Sequence, residues 1–138
     1  MNQANKNLKG VINQFVIEST KILKYAKVTP DSINEDDLNR LSDCILKMHH
    51  FAEELIKKGP QDETSLYNAQ IVKDITEDRL VLNSTENKNI SLVEAADRIK
   101  KEHRKEELVK LMQNWSREIA LQNVVIDSLR EISQELAA

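Results

Sequence analysis

The sequence predicts an all-α protein: a helical bundle or hairpin of about three shorter helices, followed by a long C-terminal helix with coiled-coil character. Three observations lead there. Only two glycines, two prolines and five aromatics (Phe15, Tyr25, Phe51, Tyr67, Trp115) occur in 138 residues. Sandwiches, barrels and doubly wound sheets need more turn formers and β-rich runs than that. Apolar residues recur at three- and four-residue spacing over long stretches, the period of an amphipathic helix. From Gln61 to Ala138 there is neither glycine nor proline to force a break.

The first helix is predicted over about residues 5–27, where Leu8, Val11, Ile12, Phe15, Ser19, Ile22, Leu23 and Ala26 fall on one stripe. It stops before Val28-Thr29-Pro30, because proline disfavours helical geometry in the preceding residue. Asp31, Ser32 and Asn34 then offer N-caps for a second helix. That helix has the cleanest seven-residue repeat in the chain, Leu38, Leu41, Ile45, Met48, Ala52 and Leu55, widened by Cys44, Phe51 and Ile56. It ends at Gly59-Pro60, a left-handed cap followed by a residue that cannot continue a helix.

Asp62 caps a third helix carrying Leu66, Ala69, Ile71, Val72, Ile75, Leu80 and Leu82, with Thr76 and Asp78 interrupting the pattern. The polar run Asn83 to Asn89 reads as a loop. Ser91-Leu92-Val93-Glu94 then matches the capping box, in which serine and glutamate satisfy exposed amides at a helix start. Residues 1–90 thus form a region of about three helices and residues 91–138 the long C-terminal helix, within one domain overall.

A continuous helix from Leu92 to Leu136 would be roughly 68 Å long at 1.5 Å per residue. A compact domain of this chain length spans only about 37 Å, so the helix must overhang or bend into a hairpin. With no residue between 92 and 136 to supply a turn, the overhang is the expectation. Leu108, Leu111, Met112, Trp115, Ile119, Ile126 and Leu129 lie within about 60° of one direction on a helical wheel, and Val125 and Ile132 widen that arc with Leu121 and Leu136. The arc is broader than a two-stranded seam requires. The expectation is a protein interface through Leu108, Leu111, Met112, Trp115, Ile119, Val125, Ile126, Leu129 and Ile132, made with a second copy or with other helical subunits.

Composition bounds the function. The net charge is −3, and neither half of the chain is basic enough to predict nucleic-acid binding. The cluster Arg98, Lys100, Lys101, Arg104 and Lys105 is the candidate contact for a polyanion or an acidic protein, although no aromatic is interleaved for base stacking. The lone Cys44 cannot form an intrachain disulfide and sits among Leu41, Ile45 and Met48 as a small buried hydrophobe. The polar start of the chain has no secretory-leader pattern, and no stretch reaches the roughly 18 apolar residues of a membrane span. An intracellular chain, cytoplasmic or nuclear, is expected. On that reading the sequons at Asn83 and Asn89 are loop composition.

No catalytic constellation, cofactor site or metal site is expected. Residues three before His49, His50 and His103 are Leu46, Lys47 and Lys100, so the Glu-x-x-His pairs of bundle metal sites are absent. Gly10 and Gly59 are isolated and cradle no phosphate. His49-His50 on a helical bundle resembles a histidine phosphotransfer domain, in fold class and in one residue. In that family lysine and glycine follow the histidine at three and four residues, whereas Glu53 and Glu54 follow His50 here, and carboxylates repel a phosphoryl group. The sequence therefore points to a non-catalytic helical scaffold or adaptor subunit of a multiprotein complex. The alternatives are a phosphotransfer-like signalling bundle and a polyanion or acidic-protein binder.

Overall fold

The computed structural model describes residues 3–28, 33–58, 63–77, 91–103, 105–117 and 119–136, with no side chain described for residues 3, 4, 25–28, 107, 114–117 and 119–124. They form six helices: α1 (Gln3–Val28), α2 (Glu35–Lys58), α3 (Glu63–Glu77), α4 (Leu92–Glu102), α5 (Glu106–Arg117) and α6 (Ile119–Glu135). No strand occurs among the described residues, and no helix there is long and apolar enough to cross a membrane. The all-α class is as the sequence predicts.

Local chemistry sets the helix starts. Asn34 caps α2: its Oδ1 accepts the Asp36 amide at 2.8 Å, and its carbonyl accepts from Leu38 at 3.1 Å, while the other caps offered, Asp31 and Ser32, lie outside the described residues. Glu35, Asp36 and Asp37 in the first turn and Lys57 and Lys58 in the last complement the helix dipole. At α4, Ser91 Oγ accepts the Glu94 amide at 3.2 Å, the serine half of the predicted capping box. The predicted stops at Thr29-Pro30 and Gly59-Pro60, the Asp62 cap, Leu80, Leu82 and the 83–89 loop lie outside the described residues.

Helices α1 and α2 pack as an antiparallel pair, with Glu18 facing Arg40 and Lys21 facing Asp37. Helix α2 is flanked on its other sides by α3 and α4, and α1 is covered by α5 and α6. Contacts of α3 with α4 and α6, and of α4 with α5, close the bundle. One apolar cluster fills it and draws on all six helices, from Leu8, Phe15 and Ile22 through Leu41, Met48 and Leu55 to Val72, Ile99, Leu111 and Leu129.

Polar side chains at helix crossings set the registers. Ser42 Oγ donates to the Ala96 carbonyl (2.8 Å) between α2 and α4, and Asn68 Nδ2 donates to Glu135 (2.7 Å) between α3 and α6. Ser133 Oγ donates to Asn13 Oδ1 (2.6 Å) between α6 and α1, and Asn5 Nδ2 donates to Ser65 Oγ (3.1 Å) between α1 and α3. Ser42, Asn68 and Ser133 are buried, and leaving a buried donor unsatisfied would cost about 1–3 kcal/mol.

The continuous helix expected over 92–136 is not formed. Helix α4 ends at Glu102, and His103 adopts the left-handed conformation (φ 54°, ψ 28°), its amide donating back to the Arg98 carbonyl. Lys105 restarts the chain, its carbonyl accepting from Val109 at 3.0 Å. Histidine is among the few non-glycine residues that enter this region with any frequency, at a cost of about 1–2 kcal/mol. Each leucine, isoleucine or methionine buried in return contributes about 1.5–3 kcal/mol. A straight helix would strand several of them in water, so the corner wins.

Candidate functional site

The corner changes the meaning of the C-terminal stripe. Leu108, Leu111, Met112, Val125, Ile126, Leu129 and Ile132 are only 0–5% exposed in the isolated chain. They belong to its own core, and α1 covers much of that face. The premise of the expectation that this stripe must seek a partner changes accordingly. It assumed a rigid 68 Å rod too long for the preceding helices to wrap, whereas the corner at His103 folds the segment back along α1. The side chains of Trp115 and Ile119 lie outside the described residues.

The basic cluster is engaged within the chain. Lys100 Nζ lies 2.6 Å from Asp43 Oδ1, Lys105 Nζ 2.7 Å from Glu35 Oε2, and Lys101 Nζ 3.4 Å from Asp97 Oδ2. The hydrogen bond and charge of Lys105 hold the Glu35 carboxyl below the usual glutamate range. Lys100 and Lys105 bracket His103 and tie the α4–α5 corner to α2. Arg98 is half-buried, and Arg104 lies outside the described residues. Two of the five cations are thus anchored to carboxylates of a neighbouring helix.

Cys44 is buried on α2, and burial pushes its thiol up to about 11, so it stays protonated and unreactive at neutral pH. Near it, Glu18 is buried between the first two helices. Its Oε1 accepts from Gln14 at 2.9 Å, and its Oε2 lies 3.5 Å from Arg40 Nε and 3.7 Å from Lys21 Nζ. Arg40 also pairs with Asp37. These four charges compensate one another and lock the α1–α2 register.

The chemistry-bearing side chains that converge are on the α2–α3 face. His50 is exposed, with Nε2 3.7 Å from Glu54 Oε2 and its ring tilted against Phe51 at 5.6 Å. One helical position earlier, His49 turns toward α3: its Nε2 is 3.3 Å from Glu77 Oε1, and its Nδ1 is 3.5 Å from Glu53 Oε1. Lys73 Nζ stands 4.0 Å from the other oxygen of Glu53. An open cleft of about 280 Å³ lies alongside, lined by His50, Glu53, Glu54, Ile56, Lys57 and Lys73. No glutamate stands three residues before any of the histidines. The pair that forms is His49-x-x-x-Glu53, four residues after, and Glu77 joins it only through the antiparallel packing of α3 on α2.

Helix α3 also carries the most exposed aromatic of the described residues. Tyr67 is 68% exposed and Leu66 41%, while Ile71 and Ile75 are half-buried against the core. Tyr67, Ile71 and Ile75, four residues apart, follow one line along α3. Comparison with known protein families, curated proteins and solved structures found no match to this chain.

Proposed function

We propose that this chain is a non-catalytic helical interaction module that binds a second copy or another helical protein through the outer edge of α3. The observation that carries the reading is Tyr67, a large aromatic left 68% exposed at the head of the ridge it forms with Ile71 and Ile75. Tyrosine is enriched at binding hot spots because its ring buries much area for little lost rotamer freedom and its hydroxyl can still be satisfied. The ridge presents apolar groups at i, i+4 and i+8, the spacing that packs against a facing helix. These features support a contact on α3, while the described side chains of the C-terminal stripe are buried in the chain itself.

The phosphotransfer alternative has less support, since Glu54 faces His50 Nε2 and Glu53 lies on the same cleft, where a phosphoryl group would meet like charge. The polyanion alternative is weakened by the engagement of Lys100 and Lys105 with Asp43 and Glu35.

The test is a photo-crosslinking amino acid placed at position 67 and, as control, at the exposed polar Asp127 on α6, in cells that natively make the protein. Position 67 should yield one discrete adduct, to the same chain or to another helical protein, and position 127 should not. Tyr67→Glu should remove that association while the circular dichroism spectrum stays unchanged. Equal labelling from both positions, or an association insensitive to Tyr67→Glu, rejects the α3 contact.

A further inference from the structure

The α2–α3 joint places an imidazole and two carboxylates from two helices within reach of one another: ligand atoms of His49, Glu53 and Glu77 all lie within 4.8 Å of each other. We propose that His49, Glu53 and Glu77 form a binding site for a divalent transition-metal ion of the zinc(II) class.

Four features carry this. His49 and Glu53 are four residues apart on α2, which stacks their side chains on one face of the helix, the arrangement by which two ligands on one helix reach a common ion. Glu77 supplies the third donor from α3, so the ion would bridge two helices. Bonds of about 2.0–2.2 Å put neighbouring tetrahedral donors roughly 3.3–3.6 Å apart. One donor atom each of His49, Glu53 and Glu77 already lies within 4.8 Å of the others. His49 meets Glu77 through Nε2 (3.3 Å) and Glu53 through Nδ1 (3.5 Å), so one ring nitrogen ligates and the carboxylate on the other side rotates to join it. His49 is held by its surroundings, its side chain 17% exposed, while the two more exposed glutamates are free to rotate and complete the geometry.

The end of α3 adds a feature independent of the side-chain cluster. Glu77 closes α3 as Glu63–Glu77, and the last turn of that helix contains no basic residue to offset the negative end of the helix dipole. A cation there meets favourable backbone charge as well as carboxylates. The donor set also selects its ion. One imidazole with two carboxylates suits zinc or manganese, whereas magnesium and calcium are held by oxygen donors and water.

Lys73 is the built-in competitor. Its ammonium lies 4.0 Å from Glu53 Oε2 and partly satisfies the carboxylate that the ion would use. Binding therefore displaces Lys73 from Glu53, and removing the lysine charge should tighten it.

Zinc chloride titrated calorimetrically into the full chain at neutral pH should bind at one ion per chain. His49→Gln and Glu77→Gln should each weaken that binding by about tenfold or more, as loss of a ligand or its supporting contact does. Lys73→Met should strengthen it severalfold, and the imidazole nitrogen resonances of His49 should shift on zinc addition while those of His103 stay in place. Zinc affinity unchanged by His49→Gln and Glu77→Gln together, or zinc-induced shifts confined to the other two histidines, overturns the site. Neither readout depends on the partner contact at Tyr67, so the two proposals fail separately.

Discussion

His103 sets the corner at which α4 ends. It occupies the left-handed region with an ordinary side chain, and its amide closes the end of α4 on the Arg98 carbonyl. Glycine at this position would lose the Cβ clash but add backbone freedom to the unfolded chain, leaving a net gain of up to about 1 kcal/mol. Were position 103 inside a continuous helix, the same substitution would cost about 1 kcal/mol. The sign of the change is therefore diagnostic. His103→Gly should raise the urea midpoint and His103→Val, with its branched Cβ, should lower it. A lower midpoint for His103→Gly would restore the straight helix. Nothing in the local sequence announces this, because Lys101 to Glu107 are good helix formers and the cost is recovered far away, on α1.

At the scale of elements, what matters is which face each helix can cover. The stripes of α1 and α2 are legible from their repeats, and the core residues read from them, Leu8, Ile12, Phe15, Leu38, Leu41, Ile45, Met48 and Leu55, are all buried. The stripe of the C-terminal segment is equally legible, but periodicity says only that a face is apolar and leaves open whether the same chain or another one covers it. Leu111 separates the two cases. Fully buried in the isolated chain, it should cost about 2–5 kcal/mol when cut to alanine, measured as unfolding free energy at concentrations too low for assembly. An interface residue would leave that free energy almost unchanged and alter only association.

The α2–α3 joint has the same character. His49 and Glu53 can be paired from sequence by their spacing, but Glu77 is 24 residues beyond Glu53 and meets them only because α3 returns antiparallel on α2. The basic cluster shows the converse. Five cations read as a surface patch in the sequence, and the fold turns two of them into tethers for the α4–α5 corner, through Asp43 and Glu35.

Among the described residues the core is one cluster with contributions from every helix, tied by hydrogen bonds between α1 and α3, α1 and α6, α2 and α4, and α3 and α6. Such a chain should unfold as one unit. Far-UV circular dichroism and the fluorescence of Trp115 should report coincident urea transitions. Separated transitions would mean that 1–90 and 91–138 hold their structure independently.

The sequence by itself determined the helical class, the stripes of α1 and α2, the serine cap of α4 and the burial of Cys44, because these follow from interactions among residues a few positions apart. Only the tertiary structure decided where the C-terminal segment bends, which apolar face is core, which cations are tethered and which carboxylates meet His49. Each of those depends on groups distant in sequence, and there the free energy of covering a long apolar face outweighs the modest local preference for a continuous helix.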